Sequence, residues 1–371
     1  MESKNRYARQ ILLKEFGEAA QKKLLNAKVL VIGAGGLGCP ALQYLAVAGV
    51  GNIGIVDFDV VDLTNLHRQI LYSMEDIGKF KALAAAKKLS SLNPEIKIQS
   101  FNFQFTNRNA LKLISEYDLV IDGSDNFITR YLVNDACIIL DKPLVYGAVL
   151  RFEGQIGVFN LEDIVSKNKT NYRDLFPEPP DPLSIFSCNE VGVLGVLPGI
   201  IGTMQALEAI KIITSIGKTL CNKIISYNAL NNSFYDFEIV PTNNDTIPFP
   251  KTESDFLNFD YEWFCNSNSN QISAYEFEEL RMNEKLTIID VREIDELPFV
   301  DEFLFTHIPL SKFESSISQI SIENKIVVFC NSGSRSLKAV NSINEIMPDC
   351  IAYSLKGGIE AWKKKNTEIL N

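Results

Sequence analysis

The sequence of 371 residues has no uninterrupted apolar run of about 18 residues, which is the length that a membrane-spanning helix requires. Its opening segment, MESKNRYARQ, lacks the apolar core of a secretory signal. Positive charge is not in excess, because 36 Lys and Arg face 46 Asp and Glu, for a net charge of −10. That balance disfavours a general binder of nucleic acid or of anionic membranes. We therefore expect a cytoplasmic protein that binds neither nucleic acid nor membrane.

Cysteine pairs are also missing. The seven cysteines are odd in number, widely spaced and never arranged as CxxC. This pattern disfavours a disulfide scaffold and fits reduced thiols in a reducing compartment.

What the sequence does contain is a regular alternation of predicted strands and helices. The segment KVLVIG at 28–33 is short, apolar and β-branched, and a glycine turn, a helical stretch and the strand NIGIVDFD follow it. Such a β-turn-α-β unit implies parallel strands joined by a right-handed crossover. Because the alternation continues to about residue 150, we predict an α/β fold with a Rossmann-like, doubly wound, mostly parallel sheet.

The alternation is interrupted twice. The proline-containing segment 162–187 predicts a long surface loop, and loops of this length are usually functional or mobile. The polar segment 243–269 predicts a linker. Helical patterning at 199–217 and a hairpin at 224–240 separate the two, and a new alternation begins near residue 270. We therefore predict a first domain at 1–242, a linker at 243–269 and a smaller α/β domain at 270–371.

A glycine motif predicts a nucleotide site in the first domain. Gly33, Gly35 and Gly38 form GxGxxG between a predicted strand and a predicted helix, where glycines let the backbone approach a phosphate. Asp57 ends the next strand, 19 residues past Gly38, where an acidic side chain reaches a ribose hydroxyl. The motif alone fits NAD, FAD or ATP.

Neighbouring charges favour ATP among these. Three cations that could hold a triphosphate lie on segments near the motif: Arg68, Lys79 and Lys81. The segment DGSDN places Asp122 and Asp125 at the end of a further predicted strand, where a carboxylate could hold Mg²⁺. Histidine, the usual proton donor of hydride-transfer enzymes, occurs only at His67 and His307. An NAD-dependent oxidoreductase therefore stays the less favoured alternative.

The stretch from Arg6 to Gln69, RYARQILLKEFGEAAQKKLLNAKVLVIGAGGLGCPALQYLAVAGVGNIGIVDFDVVDLTNLHRQ, closely resembles the ThiF/MoeB family of ubiquitin-activating-like enzymes. The likeness continues to about Val240 through GKFKA, DGSDNFITRYLVNDAC, GAVLRFEGQIGVF and GVLGVLPGIIGTMQALEAIK. It implies an E1-like adenylation domain that forms a homodimer. It also implies that the domain uses ATP and Mg²⁺ to adenylate the C-terminal Gly-Gly of a ubiquitin-like sulfur-carrier protein.

The resemblance also implies roles for individual residues. Gly36 and Asp57 would contact the nucleotide. Asn65, Arg68 and Lys81 would bind and polarise the phosphates, Asp125 would hold Mg²⁺, and Arg9 would enter the ATP site of the neighbouring protomer. The full predicted nucleotide-binding set comprises Gly33, Gly35, Gly36, Gly38, Asp57, Asp59, Asn65, Arg68, Lys81, Asp125 and Asn126.

One departure from the family concerns zinc. Many relatives have two CxxC pairs that bind a structural Zn²⁺, but this chain has Asn171-Tyr172-Arg173-Asp174 and PTNNDTI where the pairs are expected. A tetrahedral thiolate site needs those sulfurs. We therefore expect no structural zinc, a subdomain held by packing alone, and a looser loop at 162–187.

Two cysteines are candidate nucleophiles. Cys188, in SCNEVGVLG, occupies a place where some relatives form a thioester or an acyl disulfide with the carrier, and a nonreactive cysteine is the equal alternative. Cys330 follows the apolar strand KIVVF and opens the loop Cys330-Asn331-Ser332-Gly333-Ser334-Arg335 before a helix. The backbone N–H groups of such a loop cradle an anion, so Cys330 could carry a persulfide. The spacing of four residues between Cys330 and Arg335 is one shorter than in phosphatase loops.

This loop, together with IIDVREIDE and LKGGIEAW, resembles the rhodanese family over about 270–365. The resemblance implies that Arg335 helps to hold the anion and that Asp290 and Arg292 are structural. FTHIPLS replaces the family's usual GHIPGA run, so a carrier-binding scaffold with an inactive rhodanese domain is a further alternative.

The two resemblances together predict an adenylyltransferase with sulfurtransferase activity. The first domain would adenylate the carrier, and Cys330 would receive sulfur, from a donor such as a cysteine desulfurase, and deliver it to give a thiocarboxylate. That product would serve molybdopterin or thiamine biosynthesis, and the sequence leaves open whether the carrier is MoaD-like or ThiS-like.

Overall fold

The structure is a computed structural model that describes residues 6–164, 166–179, 192–242, 249–266, 270–294, 296, 299–321, 324–347 and 350–369. The chain divides into two compact units, and the main boundary between them falls between Tyr261 and Glu262. Both units are mixed α/β, as the sequence predicts.

The first unit contains an eight-stranded sheet in the order β3-β2-β1-β4-β5-β6-β7-β8. The strands from β3 to β5 are parallel, and β5 to β8 are antiparallel. Strand order reverses between β1 and β4, and ligands of such sheets bind at the carboxyl ends of the strands beside this point. The bounds are β1 Lys28–Ile32, β2 Asn52–Val56, β3 Lys97–Phe101, β4 Leu119–Asp122, β5 Leu144–Leu150, β6 Glu153–Phe159, β7 Lys223–Asn228 and β8 Ser233–Glu238.

Helices cover both faces of this sheet, because its central strands are buried on both sides. Val29, Leu30 and Val31 of β1 are fully buried. The helices of the first part are α1 Ala8–Ile11, α2 Gly17–Asn26, α3 Gly38–Ala48, α4 Lys81–Leu92, α5 Asn107–Ser115, α6 Phe127–Ile139, α7 Tyr172–Leu175 and α8 Val196–Thr214. The predicted doubly wound architecture is confirmed.

Helix α8 is long and apolar enough, by length and composition alone, to cross a membrane. In the structure 44% of an 18-residue stretch of this helix is buried, and the core helices of globular proteins can be equally long and apolar. A Cβ added to Gly202 would lie 2.2 Å from the backbone oxygen of Leu37, so this glycine lets α8 pack closely against the start of α3.

Part of the predicted loop at 162–187 is well packed rather than loose. Tyr172 and Arg173 of α7 are buried. Arg173 donates from Nε and Nη2 to the two oxygens of the buried Asp135 on α6, at 2.8 and 2.7 Å, and the Tyr261 hydroxyl donates to Asp135 at 2.8 Å. A buried ion pair therefore adds to the packing that the sequence predicts for this segment in the absence of zinc. Residues 180–187, and Cys188, lie outside the described residues.

Part of the predicted linker at 243–269 is also folded. It contains α9 Glu253–Asn258 and α10 Tyr261–Asn266. Phe256 is fully buried, and Asn107 of α5 donates from Nδ2 to the backbone oxygen of Leu257 at 2.9 Å. The polar composition of this segment concealed the few apolar side chains that hold it on the first unit.

The second unit contains a five-stranded parallel sheet in the order β11-β10-β12-β13-β9. Its core includes Phe277, Phe329 and Trp362, each in edge-to-face contact with Phe303. The strands are β9 Gln271–Ile272, β10 Leu286–Asp290, β11 Thr306–His307, β12 Lys325–Phe329 and β13 Ala352–Leu355, and the helices are α11 Ala274–Asn283, α12 Leu310–Ser316, α13 Ser334–Ile346 and α14 Gly358–Ile369. Strands β9 and β11 have two residues each, which is too short for a periodic pattern.

Candidate active sites

The glycine turn joins β1 to α3 at the reversal of strand order. Gly33 has φ +88°, and a Cβ there would lie 2.8 Å from the Gly123 oxygen after β4. A Cβ on Gly38 would lie 2.0 Å from the Gly33 oxygen. These two glycines are therefore needed by the packing of the turn itself. Gly35 and Gly36 are half-buried, and a Cβ on Gly35 would find no atom nearer than 3.7 Å, so this part of the turn is open to a ligand.

Asp57 connects the end of β2 to the glycine turn. Its Oδ2 accepts from the Ala34 N–H at 2.8 Å, and its Oδ1 accepts from the Asp59 N–H at 2.9 Å. Burial raises the pKa of Asp57, and Lys81 partly offsets this effect. Each carboxylate oxygen keeps accepting capacity for a ribose hydroxyl, the role that its position predicts.

Lys81 is the first residue of α4 and is buried. Its Nζ lies 2.9 Å from Oδ2 of Asp59, which is half-exposed, and its N–H donates to the Asp59 backbone oxygen at 2.8 Å. Asp59 therefore positions the lysine in the structure. Lys79, which the sequence placed among the phosphate-binding cations, is exposed and lies 3.4 Å from Asp76.

Arg68 is brought to the glycine turn, because its Cγ lies 3.5 Å from where a Gly36 Cβ would be. Its Nη1 donates to the Thr64 oxygen at 3.1 Å and lies 2.7 Å from Nε2 of His67. Asn65 ends the 3-10 turn Leu63–Asn65 just before it.

The two aspartates of DGSDN have different environments. Asp122 is buried, and its Oδ1 accepts from the Ser124 N–H at 2.9 Å and from the Ser124 hydroxyl at 2.6 Å. Burial raises its pKa. Asp122 therefore supports the turn after β4, and the Mg²⁺ role predicted for Asp125 stays a prediction. Asp125 is exposed after β4 and fits that role, whereas Asn126 caps α6 by accepting from the Thr129 N–H at 2.9 Å.

Two residues that support the turn were not found from the sequence. The Tyr72 hydroxyl donates to the Ala34 oxygen at 2.8 Å, and Pro198 of α8 lies 3.1 Å from the position of a Gly36 Cβ. Neither belongs to a local motif, since both reach the turn from distant segments. Arg9 is exposed on α1. Its role in the neighbouring protomer's site stays a prediction.

Cys330 follows β12 and is fully buried beneath its own loop. The Gly333 N–H donates to its Sγ at 3.1 Å, and the Ser336 hydroxyl lies 3.6 Å from the same sulfur. Gly333 has φ +94°, which allows the chain to turn over the sulfur into α13. A backbone N–H and a hydroxyl thus face Sγ at the N-terminus of a helix, and the hydroxyl proton is shared with the Gly333 oxygen at 3.0 Å. This arrangement suits a sulfur bearing negative charge.

The segment LKGGIEAW supports the loop from behind. The Ile359 N–H donates to the Cys330 oxygen at 2.8 Å, and the Glu360 N–H donates to the Asn331 oxygen at 3.2 Å. A Cβ on Gly358 would lie 2.2 Å from the Asn331 oxygen. The glycine is therefore required by the close approach of the two backbones.

The charged residues around the loop are paired. Arg292 and Asp290 form a buried ion pair at 2.7 Å. Arg335 donates from both terminal nitrogens to Glu296, at 2.5 and 2.6 Å. Glu296 carries no local sequence signal of this contact, because it precedes Arg335 by 39 residues. Of the remaining loop residues, Ser332 is exposed and Ser334 begins α13.

Comparison with known proteins connects these sites to two families. The family model described as ThiF family matches residues 7–248, and the Rhodanese-like domain matches residues 273–365. Both resemblances predicted from the sequence are confirmed.

Curated relatives cover nearly the whole chain. A probable adenylyltransferase/sulfurtransferase MoeZ of Mycobacterium tuberculosis is 41% identical over 97% of this chain and 93% of its own length. An adenylyltransferase and sulfurtransferase MOCS3 of Culex quinquefasciatus is 36% identical over 97% of this chain and 87% of its own length. A sulfur carrier protein adenylyltransferase of Thermus thermophilus is 46% identical over 71% of this chain and 97% of its own length. The prediction of an adenylyltransferase and sulfurtransferase enzyme is confirmed at this level.

Solved structures confirm the fold of the first unit. Escherichia coli MccB with AMPCPP and selenomethionine MccA aligns with a TM-score of 0.57 and 23% identity, covering 66% of this chain and 73% of that one. MccB with ATP aligns with a TM-score of 0.53 and 22% identity, covering 65% and 73%.

Proposed function

Because the chain belongs to the ThiF family and also contains a rhodanese-like domain, we propose that it activates a sulfur-carrier protein with ATP and then supplies the sulfur from Cys330. The observation that carries the proposal is the presence in one chain of an open glycine turn beside Arg68 and a cysteine whose sulfur faces two hydrogen-bond donors.

In the first reaction, the C-terminal carboxylate of a Gly-Gly carrier attacks the α-phosphate of ATP and pyrophosphate leaves. The N–H groups of the turn at Gly35 and Gly36 and the cations of Arg68 and Lys81 would stabilise the negative charge that develops on the phosphates. The support for this role is that Arg68 lies beside the turn at Gly36. Because Lys81 is buried and held by Asp59, its charge is in place before the nucleotide binds. Asp125 would hold Mg²⁺, whose charge would neutralise phosphate oxygens.

In the second reaction, the outer sulfur of a Cys330 persulfide attacks the acyl-adenylate and AMP leaves, so that an acyl disulfide joins the carrier to Cys330. A second thiol then attacks the Cys330 sulfur, the S–S bond breaks, and the thiocarboxylate leaves with the electron pair. The disulfide that this leaves on Cys330 is reduced by a further thiol. The donors from Gly333 and Ser336 would stabilise the sulfur anion on Cys330 before and after transfer. A cysteine desulfurase would supply the sulfur.

The test is ATP–pyrophosphate exchange, measured with a MoaD-like and with a ThiS-like carrier in turn. Exchange that depends on one Gly-Gly carrier, and that is lost when the terminal Gly-Gly is deleted, supports adenylation and assigns the pathway. Thiocarboxylate yield with a persulfide donor should be lost in Cys330→Ser. No exchange with either carrier, or an unchanged yield in Cys330→Ser, would contradict the corresponding half of the proposal.

We also propose a cytoplasmic homodimer in which Arg9 completes the partner's ATP site. Support comes from seven large apolar side chains that are exposed on the segment between β2 and α4: Phe58, Val60, Leu63, Ile70, Met74, Ile77 and Phe80. Single exposed apolar residues are common on protein surfaces, whereas so many on one segment indicate an interaction surface. Mixing the inactive variants Arg9→Ala and Lys81→Ala tests the exchange of arginines. Each mixed dimer would contain one intact site out of two. Because about half of the dimers are mixed after random exchange, activity should recover to about a quarter of the unmodified level. No recovery in verified mixed dimers would place Arg9 in its own protomer's site.

The covalent role of Cys188 is tested separately. Cys188→Ala should retain ATP–pyrophosphate exchange. If the cysteine carries the acyl group, thiocarboxylate formation should fall, whereas a nonreactive cysteine should leave both reactions unchanged. Zinc is likewise a matter for metal analysis, and we expect no tightly bound Zn²⁺.

A further inference from the structure

The arginine of the Cys330 loop is occupied by a carboxylate of the chain itself. Nη1 of Arg335 lies 2.5 Å from Oε1 of Glu296, and Nη2 lies 2.6 Å from Oε2. Nδ2 of Asn331 donates to the same Oε2 at 3.3 Å. The carboxylate thus binds two of the six loop residues, in the bidentate geometry by which a guanidinium binds an oxyanion.

This ion pair lies close to the nucleophile and is accessible to solvent. The side chains of Arg335 and Glu296 are 32% and 26% exposed. The pKa of Arg335 is raised chiefly because Glu296 accepts its hydrogen bonds, and the Cys330 sulfur makes a smaller contribution of the same sign. The guanidinium is therefore within electrostatic reach of the sulfur, while its two terminal nitrogens face Glu296.

We propose that Glu296 is a positioning residue that makes the Cys330 loop discriminate against small oxyanionic sulfur donors in favour of protein-bound persulfides. The inference rests on the proposed sulfur transfer by Cys330. An oxyanion that enters the loop must displace Glu296 from Arg335 and approach its negative charge. A persulfide on a partner's cysteine has no oxyanion group and needs no such displacement.

Thiosulfate is the probe, because it is a small oxyanionic donor whose sulfur transfer to a thiolate has known products. The Cys330 thiolate attacks the outer sulfur of thiosulfate, the S–S bond of thiosulfate breaks, and sulfite leaves with the electron pair. Cyanide then removes the outer sulfur of the persulfide as thiocyanate, and the thiolate is restored. The sulfonate end of this dianion is the part of the donor that Arg335 would bind if Glu296 did not.

The experiment compares Glu296→Gln with the unmodified full-length chain. We expect KM for thiosulfate to fall by about tenfold with kcat changed less than twofold, because the neutral amide leaves Arg335 available. Persulfide formation from a cysteine desulfurase should be unchanged. Glu296→Asp should stay close to the unmodified chain because it keeps the charge. Glu302→Gln is the matched control, since Glu302 pairs with Lys363 at 3.2 Å rather than with the loop.

The opposite result has a clear form. If Glu296 only clamps the loop, Glu296→Gln will lower kcat with both donors and leave KM for thiosulfate unchanged or higher, which overturns the inference. Cys330→Ser distinguishes the two levels of the proposal. If thiocyanate production persists without Cys330, the proposed sulfur-transfer function fails, whatever Glu296 does.

Discussion

The buried ion pair between Arg173 and Asp135 should be a main source of stability for the segment around α7. Arg173→Met removes the guanidinium and leaves a fully buried carboxylate. Among the described residues, that carboxylate would keep the Tyr261 hydroxyl at 2.8 Å and the Asn134 amide at 3.1 Å as hydrogen-bond partners. Removing one member of a buried pair costs about 3–5 kcal/mol.

A loss of this size is measurable by heat. A domain of this length loses about 2–4 °C in Tm for each kcal/mol, so the melting transition of the first unit should fall by roughly 6–20 °C. Differential scanning calorimetry is the suitable assay, because the two units need not melt together. The double variant Asp135→Asn/Arg173→Met should be more stable than Arg173→Met alone, since it removes the unpaired charge.

Two outcomes would refute this reasoning. The first is a decrease of less than about 1 kcal/mol in Arg173→Met, which is the range of an exposed pair. The second is additivity of the single-variant effects in the double variant, because interacting charges must couple. A chelator serves as the control. It should leave the Tm of the unmodified chain unchanged, and a lower Tm on chelation would indicate that a bound metal stabilises this unit instead.

Three further predictions follow from the two sites. Lys81→Ala should lower carrier-dependent ATP–pyrophosphate exchange by about 10²–10³-fold, because a pre-placed charge is lost, whereas Lys79→Ala should change it by less than about twofold. Ser354→Ala should slow persulfide formation on Cys330 by about two- to tenfold, because the Ser354 hydroxyl lies 2.8 Å from that of Ser336 and helps to orient it. Ser342→Ala is the control, since Ser342 is half-buried on α13 and donates to the Lys338 oxygen rather than to the loop. The hydrogen bonds from Arg335 lower the pKa of Glu296 to about 2. The stability that this ion pair gives to the folded chain is therefore complete above the pKa of an ordinary glutamate and is lost as the pH falls towards 2. The stability difference between the unmodified chain and Glu296→Gln should therefore be constant above about pH 5 and shrink below it, and a difference that grows on acidification would contradict this sign.

The sequence predicts most of the fold because its signals are local. The glycine turn, the buried strand before it and the helix after it all fall within residues 28–48, and the structure places them together. The same holds for the Cys330 loop between β12 and α13. Each of these elements follows from apolar periodicity and from glycines at positions where a Cβ would collide.

What the sequence could not predict depends on which way a side chain points. Asp122 and Asp125 are three residues apart, and only the fold shows that the first ends a buried strand while the second faces solvent. The polar linker hid Phe256 and Tyr261, because two buried aromatic side chains suffice to hold a short segment. The partner of Arg335 was missed for a related reason: a carboxylate in a loop after β10 carries no local sign that it will reach the loop after β12.

The two sites use one structural device in different ways. In both, a buried parallel strand ends in a turn that begins a helix, so backbone N–H groups face a position where an anion can bind. At the first site the turn is open and the cations come from Arg68 and Lys81, which suits a polyanion such as ATP. At the second, the turn closes over Cys330, and Arg335 is neutralised by Glu296. Lys81 is paired with Asp59, but Arg68 has no carboxylate partner among the described residues, whereas the arginine of the Cys330 loop is paired with Glu296. The same device therefore yields one site with an unpaired cation beside its turn and one site whose cation is already paired.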